Sequence, residues 1–358
     1  MGSKLTKIGF HLALYASYLG WRRPFEEISK ESVDPTAALP KKLRIFFWTP
    51  ALSPGAHVIV HEMLPSLKEA VRDLGLDWEI EANATVPDRE LDWLVCFKAV
   101  PKTGQVRGSP RKVLLICDQA EVYWGEVDQF DEVVATSSRA FASLLAWQHK
   151  RVSFIPESET PLYLERGREN LARDPVARGN VLLWHGGKYS LPALVDLRPT
   201  LERWAQGKSV NLHVIGGQDA PSKDQWGPLA VEFFPWSKQQ LFASAAQARL
   251  AIVPALRSLK LSWLKPASRV RCLYALGVPA IGDDRVPDVV EFMRMFGGPT
   301  VSSSQQWLEQ LSGLWDDAGA LKQIAGQGHA AVAREFTTRQ TAWQWIRYLS
   351  MPTAVSKI

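Results

Sequence analysis

At 358 residues, with 46% of them hydrophobic, the chain is long enough for two domains of roughly 150–200 residues, each with its own core. A formal charge of +5 and a pI of about 9.0 make it mildly basic. It has no long Lys/Arg run and no basic stripe with interleaved aromatics, which argues against a nucleic-acid partner and leaves anionic small molecules or an anionic membrane surface.

Residues 1–40 read as an N-terminal extension. Its apolar run, Ile8 to Trp21, contains His11 and two glycines and is shorter than the ~20 residues a membrane-crossing helix needs. Lys4 and Lys7 precede it, and no small-residue cleavage site follows, so the expected location is cytoplasmic. Leu12, Tyr15, Leu19 and Trp21, with Arg22 and Arg23 behind them, either lie peripherally on the inner face of a membrane or dock on the first domain. A polar linker, Lys30 to Pro40, ends the extension.

From Leu43 the pattern is short β-rich runs alternating with helical ones. Strands are predicted at 43–48, 78–80, 91–97, 113–117, 132–135 and 152–156. Helices are predicted from about His57 to Leu74 and after Thr136-Ser137-Ser138 to about Gln148. Such alternation implies a parallel sheet with helices on both faces, and ligands bind such sheets at the strands' carboxyl ends. The informative loops of this first domain (41–172) are therefore 49–57, 98–110, 118–126 and 136–139. Polar residues dominate from Glu157 to Asn180, read as the interdomain region. Cys96, Cys117 and Cys272 sit in apolar runs, as buried thiols of a reducing compartment do.

The second domain (173–335) repeats the pattern. Strand 181–184 leads to His185-Gly186-Gly187-Lys188 and a helix from Leu191 to Trp204. Strand 210–215 ends in Gly216-Gly217, and strand 231–234 leads to Pro235-Trp236. A helix from Ser237 to Ala246 precedes strand 250–254. Helices follow at 286–296, 304–315 and 318–335, and Phe336 to Tyr348 is a terminal helix. The expected class is α/β: two doubly wound, Rossmann-like domains facing each other across a cleft that holds the ligand.

The stretch Lys265 to Asp283 carries the clearest chemistry. Pro266 suits the first position of a helix, Gly277 its end, and Val278, Ala280 and Ile281 a buried strand. The N–H groups and dipole of a helix start favour an anion. Lys265, Ser268 and Arg269 gather there, and two cations at the positive end of a dipole point to a bound anion such as a diphosphate. The plainer alternative is a solvated basic helix start.

These features resemble the GT-B glycosyltransferases. The matching series is His185-Gly186-Gly187, Val-Ile-Gly-Gly at 214–217, aromatic-Pro-Trp at 234–236, the strand to Pro254, and Lys-Pro-Ala-Ser-Arg-Val followed by Ala-Leu-Gly-Val-Pro-Ala-Ile. It covers about residues 179–295; the first half matches only in architecture. The resemblance implies that the second domain holds the nucleotide of a sugar donor. Gly186, Gly187 and Lys188 would approach the diphosphate, Gly216 and Gly217 the nucleotide, and Phe234 to Trp236 the base. Lys265, Ser268 and Arg269 would hold the phosphates in place of a metal. No acidic pair with metal-ligand spacing is evident, so metal independence is expected, with the nucleotide-sugar as co-substrate and no cofactor. The resemblance also implies that residues 336–358 pack back on the first domain. Many retaining members carry two glutamates eight positions apart here; Leu264 or Lys265 and Cys272 stand near those places.

A base for an acceptor hydroxyl would come from the first domain. Asp118 follows a buried strand and is the first candidate; a capping role is its alternative. His57, behind Pro54-Gly55, is the second. His185 either touches sugar or phosphate or is a loop histidine satisfied by backbone groups, and Asp283 and Asp284 either bind sugar hydroxyls or make a turn. The leading expectation is transfer of a sugar to a glycan, lipid-linked or small-molecule acceptor, in a surface-polysaccharide type of pathway. The alternatives are an inactive nucleotide-sugar or glycan-binding relative and a nucleotide-sugar epimerase.

Overall fold

In the computed structural model the described residues are 2–19, 21–34, 38–51, 57–102, 104–117, 123–217, 219–256 and 262–351. The chain forms two compact units, Met1–Thr160 with Phe336–Ile358, and Pro161–Glu335.

The first unit begins with helix α1 (Gly2–Tyr18) and strands β1 (Glu26–Glu27) and β2 (Lys42–Trp48). A single π-helical turn, His57–His61, precedes α2 (Leu64–Asp73). Then come β3 (Asp77–Asn83), β4 (Trp93–Phe97), β5 (Arg111–Ile116), β6 (Glu132–Ala135), α3 (Arg139–Leu145) and β7 (Val152–Phe154). The helix expected from His57 starts at Leu64 instead, with Pro65 in its first turn. A proline ring clashes with the carbonyl four residues back, so a helix through His61 could not continue past it. Ser138 caps α3 by accepting from the Phe141 N–H at 3.1 Å, which fixes where that helix starts.

The sheet is parallel throughout, in the order β1-β7-β6-β5-β4-β2-β3. The chain leaves β2 for β3 on one side and then crosses to β4 on the other. The switch point is therefore at the carboxyl ends of β2 and β4, beside Thr49 and Lys98.

The second unit contains α4 (Pro161–Leu171), α5 (Pro175–Arg178), β8 (Val181–His185), α6 (Leu191–Trp204), β9 (Asn211–Ile215), β10 (Ser222–Trp226), β11 (Leu229–Phe234), α7 (Lys238–Ala245), β12 (Ala248–Val253), α8 (Ser268–Ala275), β13 (Ala280–Asp283), α9 (Pro287–Arg294), β14 (Thr300–Val301), α10 (Ser304–Trp315) and α11 (Ala318–Glu335). Its sheet runs β10-β11-β9-β8-β12-β13-β14, with only β10 antiparallel. Without β10 this is the order 3-2-1-4-5-6, whose switch point lies between β8 and β12. The strands β8 and β12 are buried along their whole length, as central parallel strands must be.

From Pro161 on, the region read as interdomain is largely helical and belongs to the second unit. Gly167 and Asn170 of α4 face inward. A Cβ at Gly167 would run into the Ala275 carbonyl, and the Asn170 Nδ2 donates to the Leu276 carbonyl at 2.9 Å. The division therefore falls at 160/161, ahead of the expected 172/173. The last helix, α12 (Thr338–Ser350), belongs to the first unit. Its Trp345 meets Phe47 edge-on at 5.2 Å, and its Thr338 hydroxyl accepts from Ser66 at 2.8 Å.

Candidate functional site

The carboxyl ends of β8, β9 and β11 form one row. The Gly186 N–H donates to the Ile215 carbonyl at 3.0 Å, and the Gly216 N–H to the Phe234 carbonyl at 2.8 Å. Gly216 has φ +84°, and a Cβ there would strike the Gly186 carbonyl and approach Trp236. This position needs glycine on both counts. The fold thus brings Gly186, Gly216, Phe234 and Trp236 together, as the ordered series implied. Trp236 is 43% exposed. Gly187 and Lys188 are exposed, and the Lys188 ammonium lies 5.5 Å from the Tyr189 ring centroid.

The start of α8 faces the switch point. A small pocket there is lined by Ser190 at the start of α6, by Pro254 and Ala255, and by Lys265, Pro266 and Arg269. The helix begins at Ser268, so Pro266 stands before it rather than at its first position, and no side chain of the N-cap residue Ala267 closes it. The Arg269 guanidinium is held by one long contact, Nη2 to the Pro254 carbonyl at 3.5 Å. Its Nη1 is buried and has no hydrogen-bond partner. Burial pushes the Arg269 pKa down to about 10, with the Asp283 charge opposing the fall, so the side chain remains a cation at neutral pH. An unpaired donor on a buried cation is unfavourable in isolation.

His185 takes the second of its two readings, a histidine satisfied by the backbone. It is 7% exposed, and its Nε2–H donates to the Arg269 carbonyl at 3.1 Å. Burial, followed by the nearby Arg269 charge, lowers its pKa to about 4 against the opposing pull of that hydrogen bond. It is therefore a neutral imidazole that ties the end of β8 to the start of α8.

Of the two roles open to Asp283, the structure shows the turn. Asp283 is fully buried, and its two oxygens are already taken. Oδ2 accepts from the Ala255 N–H at 2.9 Å and from Arg285 Nη2 at 2.6 Å. Oδ1 accepts from the Arg285 N–H at 3.1 Å and Nε at 2.8 Å. A carboxylate so engaged has no lone pair to spare for a sugar hydroxyl. Asp288, which sequence reasoning missed, accepts from the Ala267 N–H at 2.6 Å. Asp283 and Asp288 thus pin the two ends of the connection from β12 to α8, the segment that carries Lys265. Asp288 also supplies a carboxylate beside the dipole's positive end, partly offsetting the two cations.

In the first unit, Asp118 lies outside the described residues. His57 is in the π turn, half exposed, with Nε2 3.2 Å from Glu62 Oε1. The neighbouring His61 ring stacks at 6.4 Å, and its Nε2 is 3.3 Å from the Thr49 hydroxyl. Burial and the His57 charge lower the His61 pKa. Glu62 and His61 were not singled out from sequence; their spacing from His57, five and four residues, was the available signal. Among the described residues no group of three or more His, Cys, Asp and Glu side chains is placed to hold a metal ion.

No family model and no curated protein matches the sequence. Solved structures do match its fold. HepE of Anabaena, solved in complex with UDP and glucose, aligns over 87% of this chain and 100% of its own, with TM-score 0.57 and 12% identity. A glycosyltransferase from Rickettsia africae aligns over 87% and 98%, with TM-score 0.58 and 10% identity. The sucrose-phosphate synthase of Thermosynechococcus elongatus aligns over 86% and 98%, with TM-score 0.59 and 14% identity. The chain has the GT-B fold of two Rossmann-like units.

Proposed function

We propose that this protein is a cytoplasmic glycosyltransferase that moves a sugar from a nucleotide-sugar to a glycan, lipid-linked or small-molecule acceptor, in peripheral contact with a membrane. The observation that carries the reading is the buried, unpartnered Nη1 of Arg269 beside Lys265 at the start of α8. It lies at the switch point of a fold shared with HepE, whose structure holds UDP and glucose. Lys265, Arg269 and the backbone N–H of Ser268 take the diphosphate; Gly186, Gly187 and Lys188 close over it. Gly216, Gly217, Phe234 and Trp236 take the nucleoside, with Trp236 offering its ring to the base.

As the bond from the anomeric carbon to the diphosphate breaks, negative charge grows on the leaving oxygen. Fixed cations stabilise it there without reorganising, so the transfer is proposed to need no metal ion. The new bond forms to an acceptor oxygen, whose proton goes to a base. His57, held by Glu62, is suited to take it, and Asp118 is the other candidate. The test is release of nucleoside diphosphate from UDP-, GDP-, ADP- and TDP-sugars in the presence of EDTA. Activity with one donor base is expected, and His57→Ala or Asp118→Asn lowers turnover while leaving donor binding intact. Full activity in both variants removes both bases, and activity only with an added divalent ion overturns the metal-free mechanism.

A further inference from the structure

Helix α1 has two apolar sides. Phe10, Ala13, Leu14 and Ser17 are buried, with Phe10 edge-on to Trp124 at 5.3 Å. The opposite side carries Leu12 (67% exposed), Tyr15 (60%) and Leu19 (57%), and Trp21 (67%) continues the stripe. The spacing 12, 15, 19 puts the first three on one face of the helix. So the helix docks through Phe10, Ala13, Leu14 and Ser17, and not through Leu12, Tyr15 and Leu19. Nine large hydrophobic side chains are exposed among the described residues, and four of them fall in this stretch of ten. They rim an apolar trough whose floor includes Trp124 and Trp147.

Residues 1–25 contain no Asp or Glu, but do contain Lys4, Lys7, Arg22 and Arg23. Arg23 is fixed over the Trp147 ring at 4.5 Å, and its backbone N–H donates to the Ser143 hydroxyl at 2.9 Å. Among the described residues no helix is long and apolar enough to cross a membrane.

We propose that this face of α1 lies in the surface of an anionic lipid bilayer, with Leu12, Tyr15, Leu19 and Trp21 entering the headgroup boundary and Arg22 and Arg23 meeting lipid phosphates. An exposed apolar stripe flanked by Trp, Tyr and Arg is matched to that boundary. A second copy of the chain fits less well. Pairing two such stripes would bring their arginines together, and the nearby Glu27 is already paired with Arg139. The inference rests on the membrane contact proposed above and is independent of the transfer chemistry, because vesicle binding needs no donor.

The test is co-sedimentation of the full chain with phosphatidylcholine vesicles, with and without phosphatidylglycerol. Binding to the anionic vesicles is expected to exceed binding to neutral ones by about ten-fold or more and to fall with salt. Leu12→Ser with Leu19→Ser, and separately Arg22→Glu with Arg23→Glu, should each reduce it by at least about ten-fold at unchanged melting temperature. Absence of vesicle binding, or binding indifferent to both pairs of substitutions, overturns the proposal. Sedimentation velocity showing a dimer that Leu12→Ser with Leu19→Ser dissociates would assign the stripe to a second copy instead.

Discussion

The residue that shapes the candidate donor site most is one whose charge the fold does not need to hide. Arg269 keeps a buried donor unpaired, and the imidazole of His185 is spent on the backbone beside it. His185 has a pH signature. Its folded pKa, about 4, is below the ordinary value near 6.5. Between those two values the unfolded chain binds the extra proton and the folded chain does not. Stability is therefore lost as pH falls from about 6.5 through 4. Replacing His185 with Gln should flatten that part of the thermal stability profile between pH 7 and pH 4.5; a variant with the same acid slope as the parent would contradict the assignment. His61, His213 and His329 also have lowered pKa values, so a residual slope is expected. At this scale the sequence set Lys265 and Arg269 together at a helix start, and the fold keeps both lining one pocket. For Asp283 the sequence left two roles open, because its turn partner Arg285 is two residues away but its other partner, the Ala255 N–H, arrives only through the fold.

At the scale of elements, the turn from β13 into α9 acts as a clamp on the segment leading to α8. Asp288 lies 3.8 Å from Arg271 Nη1 and is almost fully buried with it. Removing its carboxylate leaves the Ala267 N–H and a buried guanidinium short of an acceptor. Asp288→Ala should then destabilise the second unit by about 1–3 kcal/mol in urea unfolding, with Asp288→Asn restoring part of the loss. An unchanged midpoint in Asp288→Ala would show that the clamp is not holding the segment. The buried strands were legible because their apolar runs are unbroken. The elements missed from sequence have other faces: β1 is two glutamates at a sheet edge, β10 is a polar edge strand, and α4 turns Gly167 and Asn170 inward. No apolar periodicity marks any of them.

At the scale of the whole molecule, the chain repeats one architectural rule. Each unit places its switch point at the carboxyl ends of buried strands, and in the second unit those ends carry the row of Gly186, Gly216 and Trp236 next to the start of α8. The first unit offers a His57–Glu62 pair, with the neighbouring His61 on the Thr49 hydroxyl. The central claim is that the second unit binds a nucleoside diphosphate through Lys265 and Arg269. Its most direct test is a calorimetric titration of the full chain with UDP, GDP, ADP, CMP and TDP, with and without EDTA, repeated on Lys265→Ala and Arg269→Ala. Saturable binding of one nucleotide is predicted, unchanged by EDTA and weakened in each variant by about 1.5–3 kcal/mol, as loss of a charge-assisted hydrogen bond requires. Binding of none of the five, or the same affinity in both variants as in the parent, would contradict it.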